Sequence, residues 1–173
     1  MTYYNELGLS IYTDFISESE HMDLMDEIRS ELDSSKQIKY IDRNKVLRYG
    51  DYAMCENNHQ NINFPANIDK ICEKLVTNNI LNYKPDTINI NEYLKDDFIA
   101  RHIDRKTSGP IITILSLKSN ATMLFTSGKD KFEVELYPKM LIQMRGSIRW
   151  SWHHEIYPVK DTRYSIVFRN KNE

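Results

Sequence analysis

Cysteine, long apolar runs and a surplus of positive charge are all scarce in this chain, and each shortage removes a class of protein. Two cysteines, Cys55 and Cys72, cannot build a disulfide framework, and neither has a partner at zinc-ligand spacing. They read as free thiols of a reducing compartment. No stretch approaches the roughly 18 apolar residues of a membrane-spanning helix, and Met1-Thr2-Tyr3-Tyr4 lacks the basic-then-apolar order of an export signal. The expectation is an intracellular protein, cytoplasmic or nuclear, that acts as a monomer without a membrane partner. Glycine numbers only five, while Asn, Ile and Lys abound, a bias that reflects genome base composition more than function. Repeats, linkers and low-complexity tracts are absent from the sequence.

The net charge of −2 argues, as a bulk figure, against an avid nucleic-acid binder. Its distribution argues otherwise. Residues 1 to 35 hold nine acidic side chains against Arg29 alone, which leaves 22 basic against 16 acidic in residues 36 to 173. Within that basic body, Lys36, Lys39, Arg43, Lys45 and Arg48 face only Asp42. Such a segment is either a solvated loop or a phosphate-contacting one.

What the chain does contain is a core-forming composition, with 40% hydrophobic residues over a length of 173, enough for one domain. Ile11 to Ile16 forms a short leading segment. Ser17 and Glu20 have capping-box spacing, and Met25, Ile28 and Leu32 follow at helical intervals. Residues 33 to 63 are polar and poorly periodic, a long excursion with one or two short strands around Val46 to Tyr52. After Pro65, the apolar spacing of Ile68, Ile71, Cys72, Leu75 and Val76 predicts a second amphipathic helix ending near Asn78-Asn79. From Pro85 the period changes to two, with Thr87, Asn89, Asn91 and Tyr93 on one face of a strand. Further strands are predicted at Phe98 to His102, Ile111 to Leu117, Ala121 to Phe125, Lys131 to Leu136, Met140 to Met144, Arg149 to His154 and Arg163 to Arg169, separated by turn residues. Many short strands after two helices predict a mostly β fold with flanking helices, a double-sheet jelly-roll barrel.

Chemistry concentrates between Asn91 and Arg169. Residues i and i+2 of a strand point to one side, so His102 and Asp104 can bind one ion while Ile103 packs behind them. A third ligand from a strand distant in sequence, His153 or His154, would complete the two-His-one-carboxylate facial triad of non-haem Fe(II) oxygenases. Arg163 and Arg169 are an even number apart and share a strand face with Ser165 and Val167. Two arginines on the inner face of a small barrel need anions, supplied by a dicarboxylate ligand or by internal Asp or Glu, unless that face is exposed.

Asn91-Glu92-Tyr93, His102-Ile103-Asp104, Pro110-Ile111-Ile112, Arg149 to Ile156 and Arg163-Tyr164-Ser165-Ile166-Val167-Phe168-Arg169 follow one another in an order and spacing that resembles the AlkB family of Fe(II)- and 2-oxoglutarate-dependent dioxygenases. The resemblance spans roughly Val46 to Arg169. It implies a single domain over 1–173, with helices and a nucleotide-recognition lid in 1–85 and the jelly-roll core in 86–173. It also implies Fe(II) held by His102, Asp104 and His154, the histidine two after Trp152, with His153 facing out. 2-Oxoglutarate is implied to lie against Arg163 and Arg169, with Asn91 and Tyr93 as hydrogen-bonding partners. Such enzymes use O2 to convert 2-oxoglutarate to succinate and CO2 while hydroxylating a substrate C–H. When that carbon is an N-methyl group, the product falls apart to formaldehyde and the free amine.

The implied substrate is a methylated base in RNA or DNA, single-stranded or flipped from the stack. Val46 to Tyr52 resembles the family's lid. Tyr49 and Tyr52 are expected to stack on a base while Arg43, Lys45 and Arg48 meet phosphates. Just beyond His-x-Asp, where the bacterial repair enzyme carries an acidic residue toward its base, this chain has Arg105-Lys106. Base preference therefore does not transfer, and Lys106 is assigned to the substrate side. A protein or small-molecule hydroxylase on the same scaffold is the alternative.

Overall fold

The computed structural model describes residues 2–34, 39–41, 44–50 and 63–170. In chain order these give helix α1 (Thr2–Leu7), strand β1 (Leu9–Tyr12), helix α2 (Glu18–Ser34), β2 (Lys39–Ile41), β3 (Asn44–Gly50), α3 (Ala66–Thr77), β4 (Thr87–Tyr93), β5 (Ile99–His102), β6 (Ile111–Leu117), β7 (Ala121–Ser127), β8 (Asp130–Leu136), β9 (Leu141–Met144), α4 (Gly146–Trp150), β10 (His153–Ile156) and β11 (Arg163–Asn170). The predicted cap of α2 is present in both directions: Ser17 N–H donates to Glu20 Oε2 at 2.7 Å and Glu20 N–H to Ser17 Oγ at 3.2 Å. Helix α3 follows Pro65, which has no capping side chain. Glu27 of α2 supplies it instead, accepting from the N–H groups of Asn67 and Ile68 at 3.0 and 3.1 Å. A carboxylate at that end also meets the positive pole of the helix dipole.

All strand pairings are antiparallel. The large sheet runs β1-β9-β6-β11-β4-β3-β2 and the small one β5-β10-β7-β8. Alternation then gives every strand of the large sheet two different faces. Leu47, Tyr49, Ile88, Ile90, Leu115, Tyr164, Ile166 and Phe168 pack with Leu24, Ile28, Ile68 and Leu75 of the helices. The other face contributes Tyr93, Ile112, Ile114 and Val167 to a second core shared with Met123, Phe125, Val134, Leu136 and Ile156 of the small sheet. Two antiparallel sheets around a shared core, with helices on the outside of one, is the jelly-roll architecture expected from the strand spacing. Strands β1 and β3, from the helical half of the chain, extend the large sheet on both sides.

One prediction fails. Arg149 to His154 is not a continuous strand: Gly146, at φ 57°, opens the short helix α4, and the strand starts only at His153. The helix buries Ile148 and Arg149 on one side and leaves Trp150 outside. The segment that looked like an alternating strand is the turn of chain that brings Arg149 under the loop between β5 and β6. Gly50, at φ 92°, ends β3 where an added Cβ would lie 2.1 Å from the carbonyl oxygen of Asp86. Only glycine fits that approach between β3 and β4.

Candidate metal and cosubstrate site

Strand β10 pairs with β5 so that His154 stands opposite His102. Asp104 lies two residues past β5, and one ligand atom from each of His102, Asp104 and His154 lies within 4.8 Å of the others. The two imidazoles sit 4.3 Å apart between centroids at 55°, and His154 Nε2 is 4.0 Å from Asp104 Oδ2. Their remaining atoms are already committed. His102 Nδ1 lies 2.8 Å from the carbonyl of Ala100, an acceptor, so Nδ1 carries the proton and Nε2 keeps its lone pair. Asp104 Oδ1 accepts from Arg169 Nη2 at 3.2 Å, leaving Oδ2 toward His154. Burial alone would raise the Asp104 carboxyl, but Arg169, His154, His102 and Arg149 together outweigh it and hold the group below its usual range. Burial, with repulsion from His102, drives His154 down to about 4 despite the attraction of Asp104, so its imidazole is neutral at physiological pH. One carboxylate and two imidazole nitrogens gathered this closely are a donor set that suits a borderline divalent cation.

His153 points the other way. Its ring lies on the outer face of the small sheet, where Nδ1 accepts from Arg101 Nη2 at 3.4 Å, and Arg101 Nε donates to Thr126 Oγ1 at 2.9 Å.

On the inner face of the large sheet, β11 pairs with β4 so that Arg163 stands beside Tyr93, Ser165 beside Asn91 and Arg169 beside Thr87. Asn91 Nδ2 donates to Ser165 Oγ at 3.1 Å. Arg163 has no exposed surface. Its Nη2 donates to Ser116 Oγ at 3.0 Å and its guanidinium lies 4.9 Å from the Tyr93 ring centre, but its Nε and Nη1 have no hydrogen-bond partner. Burial pushes this guanidinium's pKa down, the mark of a cation held away from water without a carboxylate beside it. A buried guanidinium with donors left unpartnered is suited to receive a carboxylate. The residue set therefore fits both an Fe(II) ion and a dicarboxylate reaching from it to Arg163.

Two side chains of this site have roles that the sequence reading leaves unassigned. Ser116 is a polar residue in the otherwise apolar run Leu115-Ser116-Leu117, which was its signal. Arg149 is only 2% exposed and donates three hydrogen bonds to backbone carbonyls, Nε to Gly109 at 3.0 Å, Nη1 to Asp104 at 3.1 Å and Nη2 to Arg105 at 2.7 Å. It fixes the loop that presents Asp104.

The expected substrate lid needs correction. Tyr49 is buried among α2, α3 and the helix-facing side of the sheet, and its hydroxyl donates to Glu31 Oε2. It cannot stack on a base. Lys45 is on that same face, 3.1 Å from Glu92 Oε2, so its ammonium answers an internal carboxylate and not a phosphate. Strand parity decides both cases, because Lys45, Leu47 and Tyr49 alternate with Val46 and Arg48. Arg48 pairs with Asn89 and faces the inner side. Lys36, Arg43 and Tyr52 lie outside the described residues, and Cys55 does too. Lys106 is exposed on a short 3-10 turn, Lys106–Ser108, directly after the Asp104 loop begins.

A jelly roll with this ligand group and a buried arginine opposite defines a non-haem iron oxygenase. The chain belongs to the 2OG-Fe(II) oxygenase superfamily, which matches residues 44–169. It is therefore an oxygenase whose cofactor is Fe(II) and whose cosubstrate is 2-oxoglutarate, and His102, Asp104 and His154 form a group like the facial triad of such enzymes. Among similar sequences are an uncharacterized protein, L905, of Acanthamoeba polyphaga mimivirus, 28% identical over 94% of this chain and 84% of that protein. The tRNA (carboxymethyluridine(34)-5-O)-methyltransferase alkbh8 of Xenopus tropicalis is 27% identical over 88% of this chain, which spans 26% of that protein. Similar folds include a Pseudomonas putida prolyl-4-hydroxylase (TM-score 0.68, 15% identity, 99% of this chain and 97% of that one) and OsALKBH1 (TM-score 0.69, 14% identity, 94% and 96%). No helix among the described residues is long and apolar enough to cross a membrane.

Proposed function

We propose that this protein is an AlkB-like oxygenase that oxidatively demethylates N-methylated bases in nucleic acid. The observation that carries the cosubstrate half of this reading is Arg163, buried with two unpartnered donors on the same sheet face as Arg169, which holds Asp104. On this reading His102, Asp104 and His154 would hold Fe(II). Arg163, with Ser116 beside it, receives the distal carboxylate of 2-oxoglutarate, and Asn91 and Tyr93 line the path between. Bound Fe(II) supplies the oxygen chemistry: O2 and 2-oxoglutarate give succinate and CO2, and one oxygen atom enters the substrate C–H as hydroxyl. On an N-methyl group the resulting hydroxymethyl amine releases formaldehyde and leaves N–H. The protein's own part is to orient. Arg169 keeps Asp104 ionised and fixed, the Ala100 carbonyl sets the His102 tautomer, and the apolar wall of Phe125, Phe132 and Trp152 keeps water from behind His154.

The substrate half rests on the loop that presents Asp104. Arg105 and Lys106, both exposed, directly follow the carboxylate ligand, and the similarity to proteins named for tRNA methylation runs over 88% of the chain. RNA is thus the first nucleic acid to test. RNA and DNA oligonucleotides carrying single methylated nucleosides are incubated with Fe(II), 2-oxoglutarate and O2. Mass spectrometry should find one of them demethylated, with formaldehyde and succinate in equal amounts, and His154→Ala should abolish both. Succinate release that never couples to any oligonucleotide but does couple to a peptide or small molecule would replace this reading with the hydroxylase one.

A further inference from the structure

With Tyr49 in the core, its ring is closed to nucleic acid. Five large apolar side chains are exposed among the described residues, and one of them, Trp150, packs on the arginine that holds the loop of Asp104. It is 42% exposed, on α4 immediately before β10. Its ring centre lies 4.2 Å from the guanidinium carbon of Arg149. That guanidinium is held by the carbonyls of Asp104, Arg105 and Gly109, so the ring is braced against the very loop that presents the carboxylate ligand. A tryptophan on a surface helix is ordinarily free to turn. This one has its inner face laid on an immobile cation, which fixes its plane.

The loop beside it carries Arg105 and Lys106, both exposed, and among the described residues neither has a carboxylate partner. The only acidic residue of the loop, Asp104, is turned inward to Arg169. A fixed aromatic plane with two uncommitted cations a few residues along is the combination that binds single-stranded nucleic acid: bases stack on the ring irrespective of sequence, and phosphates meet the cations. We propose that Trp150, Arg105 and Lys106 form a docking platform for single-stranded nucleic acid, with the base next to the target stacked on Trp150 and the phosphates that flank it on Arg105 and Lys106. The proposal rests on the nucleic-acid reading above and adds to it where the strand lies. It also gives Arg149 two tasks at once, since the side chain that sets the Asp104 loop sets the platform.

The test is fluorescence anisotropy of labelled single-stranded RNA and DNA 12-mers on the full chain across a salt series, alongside 2-oxoglutarate turnover without nucleic acid. Trp150→Ala should weaken binding about 5- to 100-fold with the salt slope unchanged, and Trp150→Phe should recover part of the loss. Arg105→Ala with Lys106→Ala should lower the slope of log K against log salt by about 1.4, two phosphates' worth for a single strand. These two residues are exposed, so this arm survives even where Trp150→Ala disturbs α4. Lys160→Ala, in the exposed connection between β10 and β11, removes the same kind of charge and should leave binding as it was. If the wild-type chain binds and demethylates an oligonucleotide while both platform variants match it in affinity and slope, the platform is wrong and the demethylase reading stands. If the wild-type chain binds neither RNA nor DNA while turning over 2-oxoglutarate, both fall.

Discussion

Among the described residues two arginines are almost wholly buried, and they are buried in opposite ways. Arg149 sits between α4 and the Asp104 loop with Nε, Nη1 and Nη2 each on a backbone carbonyl. Arg163 sits between the sheets with one bond to Ser116 and two nitrogens without a partner. Burial lowers the pKa of both, so both cations are in surroundings that disfavour charge. A fully bonded buried arginine is part of the architecture, because removing it strands three carbonyls. An incompletely bonded one is a cost carried for something else. The difference separates a residue that shapes the site from one that receives a ligand, without reference to any relative.

The sharpest way to break this comparison is at Arg163. Arg163→Met keeps the volume and removes the charge, so the loss of a bidentate contact should weaken 2-oxoglutarate by about 2 to 4 kcal/mol, roughly 30- to 1000-fold. The fold should be unharmed or firmer, since no acceptor except Ser116 is left behind. Isothermal titration of 2-oxoglutarate and a thermal melt measure the two halves. Unchanged affinity would show that Arg163 is not the anchor, and a large drop in stability would show that it is structural after all.

Arg149→Met should give the reverse. Three carbonyls lose their donor at about 1 kcal/mol or more each, so stability should fall by about 3 kcal/mol, or some 6 to 12 °C in melting temperature for a chain of this size. Arg149→Lys should recover only part, because one ammonium cannot span three divergent carbonyls. A melt unaffected by Arg149→Met would mean the loop is held by other contacts.

The contrast also explains what could be read from the sequence. Even spacing put Arg163, Ser165 and Arg169 on one face, and the same parity separated His153 from His154 once the tryptophan spacing had chosen between them. Strand β6 is legible residue for residue because turn residues bound its apolar run on both sides. The same parity puts Lys45, Leu47 and Tyr49 on one face, but the basic, aromatic composition of that stretch does not say which face is buried. Arg149 was visible as a motif residue, but nothing in one dimension says that a guanidinium bonds carbonyls forty residues back. The short helix α4 was hidden for a related reason: Ser147-Ile148-Arg149-Trp150 alternates polar and apolar as a strand does, and only Gly146 hinted at the turn.

Arg169 stands between the two extremes and offers the smallest effect. It is partly buried and ion-paired to Asp104 at 3.2 Å, so it is both bonded within the protein and close to the ligand atoms. Burial pulls the Asp104 carboxyl up, and Arg169 is the largest of the charges that hold it down. In Arg169→Gln the burial effect gains ground, the proton is held to higher pH, and a metal ion must displace it. Binding of Mn(II) as a redox-stable probe at pH 7 should weaken about 10- to 100-fold, as for loss of an outer-shell partner, and its onset should move to higher pH. The sign for the apo fold runs with it. A depressed carboxylate stabilises the protein above its unfolded value of 3.8 and loses that contribution as pH falls through its folded one, so wild type should resist acid longer than Arg169→Gln. Metal titrations at several pH values, paired with acid melts, measure both. If Arg169→Gln binds Mn(II) as tightly as wild type at every pH, then Arg169 belongs with Arg163 as a ligand receptor alone, and the fixing of Asp104 falls entirely to Arg149.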